Sequence, residues 1–438
     1  MTKRKTGPFR PIPLLNVEID LDGVRRQVGR LAWRDRVAYF EYDQAFLTSG
    51  LDLSPFRLKL GPGLMEGPPR PFDGLHGLFN DSLPDGWGRL LMDRKLYRIG
   101  LHPGQLTPLD RLAWVGAHGM GALIYRPEHP PLAEGYDGML DLDKLAGEAR
   151  KVLNDSPRAV LDELLAVGGS PHGARPKALV GLANDHSLLI HGVDEMPEGF
   201  DPWMVKFRAA ADPIDIGAIE NAYAGMAGAA GVDMPPTKLF PARKGPGFFG
   251  IKRFDRVYNR RVHMHTVSGL LNASHEHPSI GYGHLLRVAW TLVRRQSAVE
   301  QIFTRMAFNV FAFNRDDHTK NHSFMMAPDG AWLSAPAYDV TFSMGHGGEH
   351  ALDVAGSGNP SIEHVLKLAD EVGIGRSKAQ EIIDRVRSAT SRWPEFAAAG
   401  GVSKKSLAVI DLHLNGPRKP ARRPRPAGGA AVETGGRP

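Results

Sequence analysis

Residues 315–321 read Arg315-Asp316-Asp317-His318-Thr319-Lys320-Asn321, directly behind an apolar run whose periodicity predicts a helix over roughly 297–312. Asp316 and Asn321 stand five apart. A further carboxylate, Asp339, follows Pro336-Ala337-Tyr338 among apolar neighbours. A lone charge there is costly unless it is coordinated or hydrogen-bonded; a turn-capping Asp is the plainer alternative. An Arg-Asp-x4-Asn spacing after an apolar helix is hard to obtain by chance. It narrows the fold more than any other feature of the chain.

In protein-kinase catalytic loops this spacing lets the Asp orient the acceptor hydroxyl while the Asn holds a metal ion. Asp339 stands where such a fold places its Mg²⁺-chelating carboxylate. The chemistry predicted is phosphoryl transfer from ATP. That reaction needs cradled phosphates, a lysine on the α/β-phosphates and one or two Mg²⁺ ions.

Each part has a candidate in a workable order. Gly168-Gly169-Ser170-x-x-Gly173 can present backbone N–H groups to phosphate. By itself this is weak evidence, since the chain has 50 glycines and most serve turns. It has neither the Gly-Lys-Ser/Thr ending of a P-loop nor a dinucleotide fingerprint. Lys206 sits in the apolar strand Trp203-Met204-Val205-Lys206-Phe207, where an ammonium needs a partner unless it faces solvent from an edge. Glu220, on the following predicted helix, is the candidate partner. His318 and His322 are four apart but belong to a loop and lack a His-Glu-x-x-His pattern, so a zinc hydrolase fits poorly. His263 and His265 alternate in a predicted strand and carry no clear signal.

The order of elements predicts an α+β protein with strands first and helices last. Residues 14–60 alternate as strands and turns, with a turn at Gly23. Phe79 to Arg89 reads as a helix entry with a capping Asp, the helix running through Tyr97. Gly116 to Pro127 reads as a Gly-rich strand closing this region, and 128–140 as a Pro/Gly linker. Helices are predicted over 141–153, 157–167, 219–231, 283–295, 361–371 and 376–390, with strands at 178–182 and 248–254. The last 23 residues, rich in Pro, Arg and Gly, read as disordered.

A chain of 438 residues, 42% hydrophobic and 23% charged, fits a globular protein of two or three lobes. It has no cysteine, which excludes disulfides, thiolate metal sites and Cys nucleophiles. No apolar run approaches the roughly 20 residues that span a bilayer. The basic N-terminus lacks the apolar core of a signal peptide, so a cytoplasmic protein without membrane contact is expected. The net charge of +6 comes from the ends: residues 416–438 carry six Lys/Arg against one Glu, and residues 1–10 add Lys3, Arg4, Lys5 and Arg10. The body is slightly acidic, which argues against autonomous DNA recognition.

With these residues together, the chain from about Leu15 to Leu414 resembles the HipA-type serine/threonine kinases, toxins of type II toxin–antitoxin pairs. Leu83-Pro84-Asp85-Gly86-Trp87-Gly88-Arg89 is similar to a signature of that family's N-terminal subdomain. The run Ser170-Pro171-His172-Gly173-Ala174-Arg175-Pro176-Lys177 is similar to its Gly loop, with Ser170 at the autophosphorylated serine. Lys206 matches the ATP lysine, and Lys252 to Arg256, with Phe254, the lobe connection near the adenine. Asp316 matches the catalytic Asp. His318, Lys320 and Asn321 match the end of its loop that contacts nucleotide and metal, Tyr338 a nucleotide contact, and Asp339 the second metal ligand. Pro171 after the serine and the stretch from Thr237 to Gly250 are departures, but neither removes a catalytic group.

The resemblance implies a two-lobed, protein-kinase-like α+β fold with an added N-terminal β-rich subdomain and a mainly helical C-terminal lobe. It divides the chain into a basic arm (1–13), an N-terminal subdomain (14–130), a kinase-like N-lobe (131–265), a helical C-lobe (266–415) and a basic tail (416–438). It implies ATP and Mg²⁺ as cofactors and a protein substrate of the aminoacyl-tRNA synthetase class. Phosphate on Ser170 would hold the Gly loop away from nucleotide by adding charge and acceptor oxygens. The implied partner is a small helix-turn-helix antitoxin, which would bring the chain to DNA indirectly. Two other readings remain: a small-molecule kinase on a related scaffold, and a non-catalytic co-repressor that holds an antitoxin on its operator.

Overall fold

The computed structural model describes residues 9–130, 132, 140–154, 164–165, 173–191, 196–257 and 259–416. Ser170, His172, most of the helix predicted at 157–167 and the tail beyond Gly416 lie outside these residues.

Strands β1 (Leu14–Leu21), β2 (Val24–Arg34), β3 (Val37–Tyr42), β4 (Leu64–Glu66) and β5 (Leu123–Arg126) form an antiparallel sheet of order β4-β3-β2-β1-β5. Its inner face follows from alternation: Leu15, Val17, Ile19 and Leu21 of β1 are buried while Leu14 and Asn16 are exposed. Helices α1 (Gly86–Arg98) and α2 (Pro108–Val115) lie between β4 and β5 in the chain. Thr107 caps α2 through a reciprocal box with Asp110, and Pro108 suits its first turn.

The strand expected from Gly116 is shorter, starting only at Leu123. The preceding loop is held from outside the sheet. Arg256 donates to the carbonyls of Gly119 and Gly121, both at 2.9 Å, and Arg261 donates to that of Ala117. Asp255 accepts the Gly121 N–H at 2.9 Å. Guanidinium donors thus satisfy carbonyls that a ladder would otherwise pair.

A second antiparallel sheet contains β6 (Lys177–Ala183), β7 (Leu189–His191), β8 (Phe200–Lys206), β9 (Thr237–Phe240) and β10 (Phe248–Lys252) in the order β7-β6-β8-β10-β9. Every residue of β6 is buried. One face packs on helix α3 (Leu142–Leu153) and on Trp87 and Leu91 of α1, forming a separate apolar cluster. Helix α4 (Ile216–Ala229) packs against β10 and reaches the main core.

A small sheet, β11 (His263–Thr266), β12 (Ser323–Met326) and β13 (Trp332–Ser334), brackets residues 267–322. Within that span lie α5 (Tyr282–Val293) and α6 (Gln296–Phe311), followed after β13 by α7 (Ile362–Glu371) and α8 (Arg376–Ser391). Helix α6 is buried almost all round, which its apolar sequence requires, and packs against α5 and α8. The main core runs unbroken from the first sheet through α4 to these helices.

A buried polar contact ties the first sheet's region to the small sheet. Asp81 Oδ2 accepts from Thr266 N at 2.7 Å and from His265 Nδ1 at 2.6 Å, and Ser54 Oγ lies 3.0 Å from His265 Nε2. The histidine pair that carried no signal is therefore structural.

Two buried histidines make stability sensitive to acid. Burial pushes His263 and His322 down to about 3. The unfolded chain takes up protons near 6.5, well before the native state does. Their stabilisation is complete above pH 6.5 and is lost as pH falls toward 3. Urea unfolding at pH 7.5 and 5.0 should show a loss of roughly 1–2 kcal/mol per histidine. The slope should flatten in His263→Gln.

Candidate active site

Helix α6 ends at Ala312, whose N–H reaches Phe308 O at 2.7 Å. Phe313 then turns the chain with φ of 51°. Asn314 closes the turn, donating from its backbone to Asn309 O and from Nδ2 to Asn309 Oδ1, each at 2.9 Å. Residues 313–315 next run alongside Ser343, with Ser343 N to Phe313 O at 2.9 Å and Arg315 N to Ser343 O at 3.2 Å. This pairing brings the loop that carries Asp339 beside the loop that carries Asp316.

The two neighbouring aspartates part company here. Asp317 is buried, accepting from Tyr282 Oη at 2.6 Å, His350 Nδ1 at 2.9 Å and Ala351 N at 2.9 Å. Burial pushes its carboxyl up, but the bonds from His350 and Tyr282 outweigh it and leave it below the usual range. Asp316 is exposed at the mouth of a cavity, and its carbonyl accepts Asn321 Nδ2 at 2.7 Å. A single helical turn, Thr319–Asn321, sets that distance.

The cavity, of about 540 Å³, is lined by Asp85, Gly86, Gly173, Ala174, Arg175, Lys177, Lys206, His275, Glu276, Asn314, Asp316, His318, Lys320, Asn321, Asp339 and Thr341. Most of the residues singled out from the sequence therefore meet in one place. Lys252, Phe254 and Tyr338 are not in its lining. Lys252 pairs with Asp201 at 2.6 Å on the neighbouring strand, and Phe254 stacks on Tyr338 at 5.6 Å between ring centres. Tyr338 supports the loop from behind, its hydroxyl donating to Lys320 O at 2.7 Å.

Lys206 ends β8 and is buried, so it is not a solvent-facing edge lysine. Its ammonium pairs with Glu220 of α4 at 3.1 Å and with Asp339. Burial lowers its pKa, but Asp339 and Glu220 outweigh that and raise it. Glu220 is shared with Arg175, at 2.8 Å, which also reaches Asp212 at 3.1 Å.

Lys177 stands directly across the strand pair from Lys206. Like charges opposite each other are unfavourable in a sheet, and here both are buried. Desolvation brings Lys177 down to about 8, while Asp339 acts against it. Asp339 itself adopts a left-handed φ of 53°. Burial would raise its carboxyl, but Lys206 and Lys177 hold it far below the usual range. The result is a half-buried anion beside two buried cations, open to a cavity. Such an arrangement suits a polyanionic ligand with a divalent ion.

The sequence reading missed six lining residues: Asp85, Gly86, His275, Glu276, Asn314 and Thr341. Asp85 was read as a helix cap, and it occupies the N-cap position of α1 without making the capping bond. Its Oδ1 instead accepts Gly173 N at 2.5 Å and its Oδ2 pairs with Lys320 at 2.7 Å. Gly86 lets this corner close, since a Cβ there would lie 2.6 Å from Gly173 O. The Pro-Asp-Gly run was the available signal. His275 rests 5.7 Å from the ring of His318, and burial, followed by Lys320 and His318, lowers it to about 4.

Comparison with known proteins identifies the fold and the family. The HipA-like C-terminal domain matches residues 169–393, and the HipA N-terminal domain matches residues 18–126. No curated protein matches the chain in sequence. Among solved structures, HipA in the Shewanella oneidensis MR-1 toxin–antitoxin complex of HipA, HipB and operator DNA is similar over 91% of this chain and 95% of that chain. The TM-score is 0.64 and the identity 17%. The Helicobacter pylori proinflammatory kinase CtkA covers 50% of this chain and 88% of that chain at 13% identity, with a TM-score of 0.32, too low to carry an argument. The α+β fold is thus a HipA fold, with its N-terminal sheet, kinase-like sheet and helical C-terminal region. On the extent of these domain matches, the chain belongs to the HipA family, the ATP-dependent serine/threonine-kinase toxins of HipBA toxin–antitoxin systems.

Proposed function

We propose that this chain acts in the cytoplasm and transfers the γ-phosphate of ATP, with Mg²⁺, to a serine or threonine of a protein and to its own Ser170. The observation that carries this reading is the convergence of Lys206, Asp316, Asn321 and Asp339 on one cavity. Lys206 and Lys177 supply positive charge for the phosphates, and Gly173 and Ala174 supply the end of the Gly loop. His318, Lys320 and Arg175 line the same space, while Lys252, Phe254 and Tyr338, outside that lining, are the candidates for adenine contact that membership of the family suggests. Asp316 is the group for the acceptor hydroxyl: it is exposed and lines the same cavity as both metal candidates, Asn321 and Asp339.

The donor set fits Mg²⁺. Asp339 stays ionised, and Asn321 spends its amide nitrogen on Asp316 O, which leaves a hard carbonyl oxygen. Among the described residues no group of three or more His, Cys, Asp or Glu is arranged for a metal. Few protein ligands plus phosphate oxygens is the usual Mg²⁺ arrangement in kinases. When bound, the ion would neutralise charge on the β- and γ-phosphate oxygens. Lys206 must then share Asp339 with it, and Glu220 keeps the ammonium paired.

Ser170 stands three residues before Gly173, which lines the cavity. An aminoacyl-tRNA synthetase is the acceptor class that membership of the family suggests, with arrest of translation and growth as the consequence. A small helix-turn-helix antitoxin is the proposed partner, by analogy with the HipB and operator DNA in the Shewanella complex. Among the described residues no helix is long and apolar enough to cross a membrane.

The test is incubation with labelled ATP and Mg²⁺, followed by phosphosite mapping. Phosphate is expected on Ser170 and on a protein acceptor in the wild type and on neither in Asp316→Asn. Phosphate appearing only on a metabolite would favour a small-molecule kinase. Absence of both phosphate and ATP binding would leave the co-repressor reading ahead.

A further inference from the structure

The cavity has one corner that comes from the first sheet's region. Asp85 lies 235 residues from Lys320 in the chain, yet their charged groups are 2.7 Å apart. Lys320 is almost fully buried, and an ammonium so placed needs an anion. Asp85 supplies it. The same carboxylate takes the Gly173 N–H on its other oxygen, at 2.5 Å. Two further bonds fasten the corner: Trp87 N to Gly173 O at 3.1 Å, and Trp87 Nε1 to Lys177 O at 3.2 Å. Gly173 has φ of 101°, and a Cβ there would lie 2.6 Å from Lys177 Nζ. The start of α1 thus grips the end of the Gly loop and the lysine of the catalytic loop together.

We infer that Asp85 is a positioning residue for phosphoryl transfer: it holds Gly173 and Lys320 in register, so the N-terminal region completes the kinase site. This rests on the kinase reading of the cavity. The chemistry requires a carboxylate. Each Asp85 oxygen accepts from a different donor, and Asn keeps only one acceptor oxygen, so it can serve Gly173 or Lys320 but not both. Glu carries an extra methylene and would displace one of the partners. Because Asp85 makes no capping bond to α1, its removal leaves the helix's own hydrogen bonds untouched.

The test compares full-length wild type, Asp85→Asn, Asp85→Ala, Lys320→Ala and the double variant Asp85→Ala/Lys320→Ala. Steady-state phosphorylation, thermal melting and amide hydrogen exchange at Gly173 are read for each. Misplacing a loop end by an ångström or so lowers kcat about 10- to 100-fold while the KM for ATP stays within about threefold. The double variant should be no slower than the slower single one, since both act through one contact. Exchange at Gly173 should rise about tenfold in Asp85→Ala without global unfolding. Wild-type kcat in a folded Asp85→Asn, or additive losses in the double variant, would overturn the inference. A wild type that transfers no phosphate would sink the kinase reading instead. Gly173 exchange then decides this one, and an unchanged rate in Asp85→Ala rejects it.

Discussion

Asp316→Asn is expected to lower phosphoryl transfer by about 10²- to 10⁴-fold, the range for removing a positioned acid–base group. The melting temperature should not move. The reason lies in the exposure of the Asp316 side chain and in the use of only its backbone carbonyl by Asn321. Asn is isosteric and retains that carbonyl, so the loop keeps its geometry and ATP affinity should remain. Exposed substitutions that break no named contact change stability by no more than about 0.5 kcal/mol. Paired measurements of initial rate, nucleotide affinity and melting would check all three statements. A substantial fall in stability would show that the carboxylate is structural and would move the catalytic assignment elsewhere.

Asp317→Ala should do the reverse. It removes the acceptor for Tyr282 Oη, His350 Nδ1 and Ala351 N inside the core. Stranding buried donors and breaking a buried pair costs about 3–5 kcal/mol. Urea unfolding should show that loss directly. Activity should fall with the folded fraction and further as the loop loses its anchor, so the loss of stability, not of activity alone, marks this variant. Tyr282 also receives Asn309 Nδ2 at 2.9 Å, and Asn309 holds Asn314, so Asp317 sits at the root of the catalytic loop. Its neighbour Asp316 sits at the tip. The two predictions together separate the residue that shapes the loop from the residue that uses it.

Much of the layout was legible because it is set locally. The helices read over 283–295, 361–371 and 376–390 lie at Tyr282–Val293, Ile362–Glu371 and Arg376–Ser391. Each has an apolar face at helical spacing, so the period alone locates it. The Lys206–Glu220 pairing was also within reach, because a strand followed by its neighbouring helix brings close a lysine that needs an anion. Failures came where a non-local partner intervened. The Gly116 run lost its strand to arginine donors from residues 256 and 261, about 140 positions away in the chain. Lys252, read toward the nucleotide, pairs with Asp201 on the adjacent strand, a contact that its own segment does not announce.

The site divides in the same way. By itself the sequence determined the spacing of Asp316 and Asn321 and the apolar helix ahead of them, since both depend on residues within one short segment. It could not tell Asp316 from Asp317 by chemistry, because the side chains are identical and only the contacts of Tyr282 and His350 distinguish them. Nor could it place Lys177 opposite Lys206, which depends on strand register across some 30 residues. The bond from Asp85 to Lys320 was further out of reach, because it requires the first sheet's region to pack beside the helical part before either charge meets the other. Burial made these contacts obligatory: a carboxylate or ammonium removed from water must find its counter-charge wherever the chain happens to bring one, and that is settled by packing rather than by local spacing.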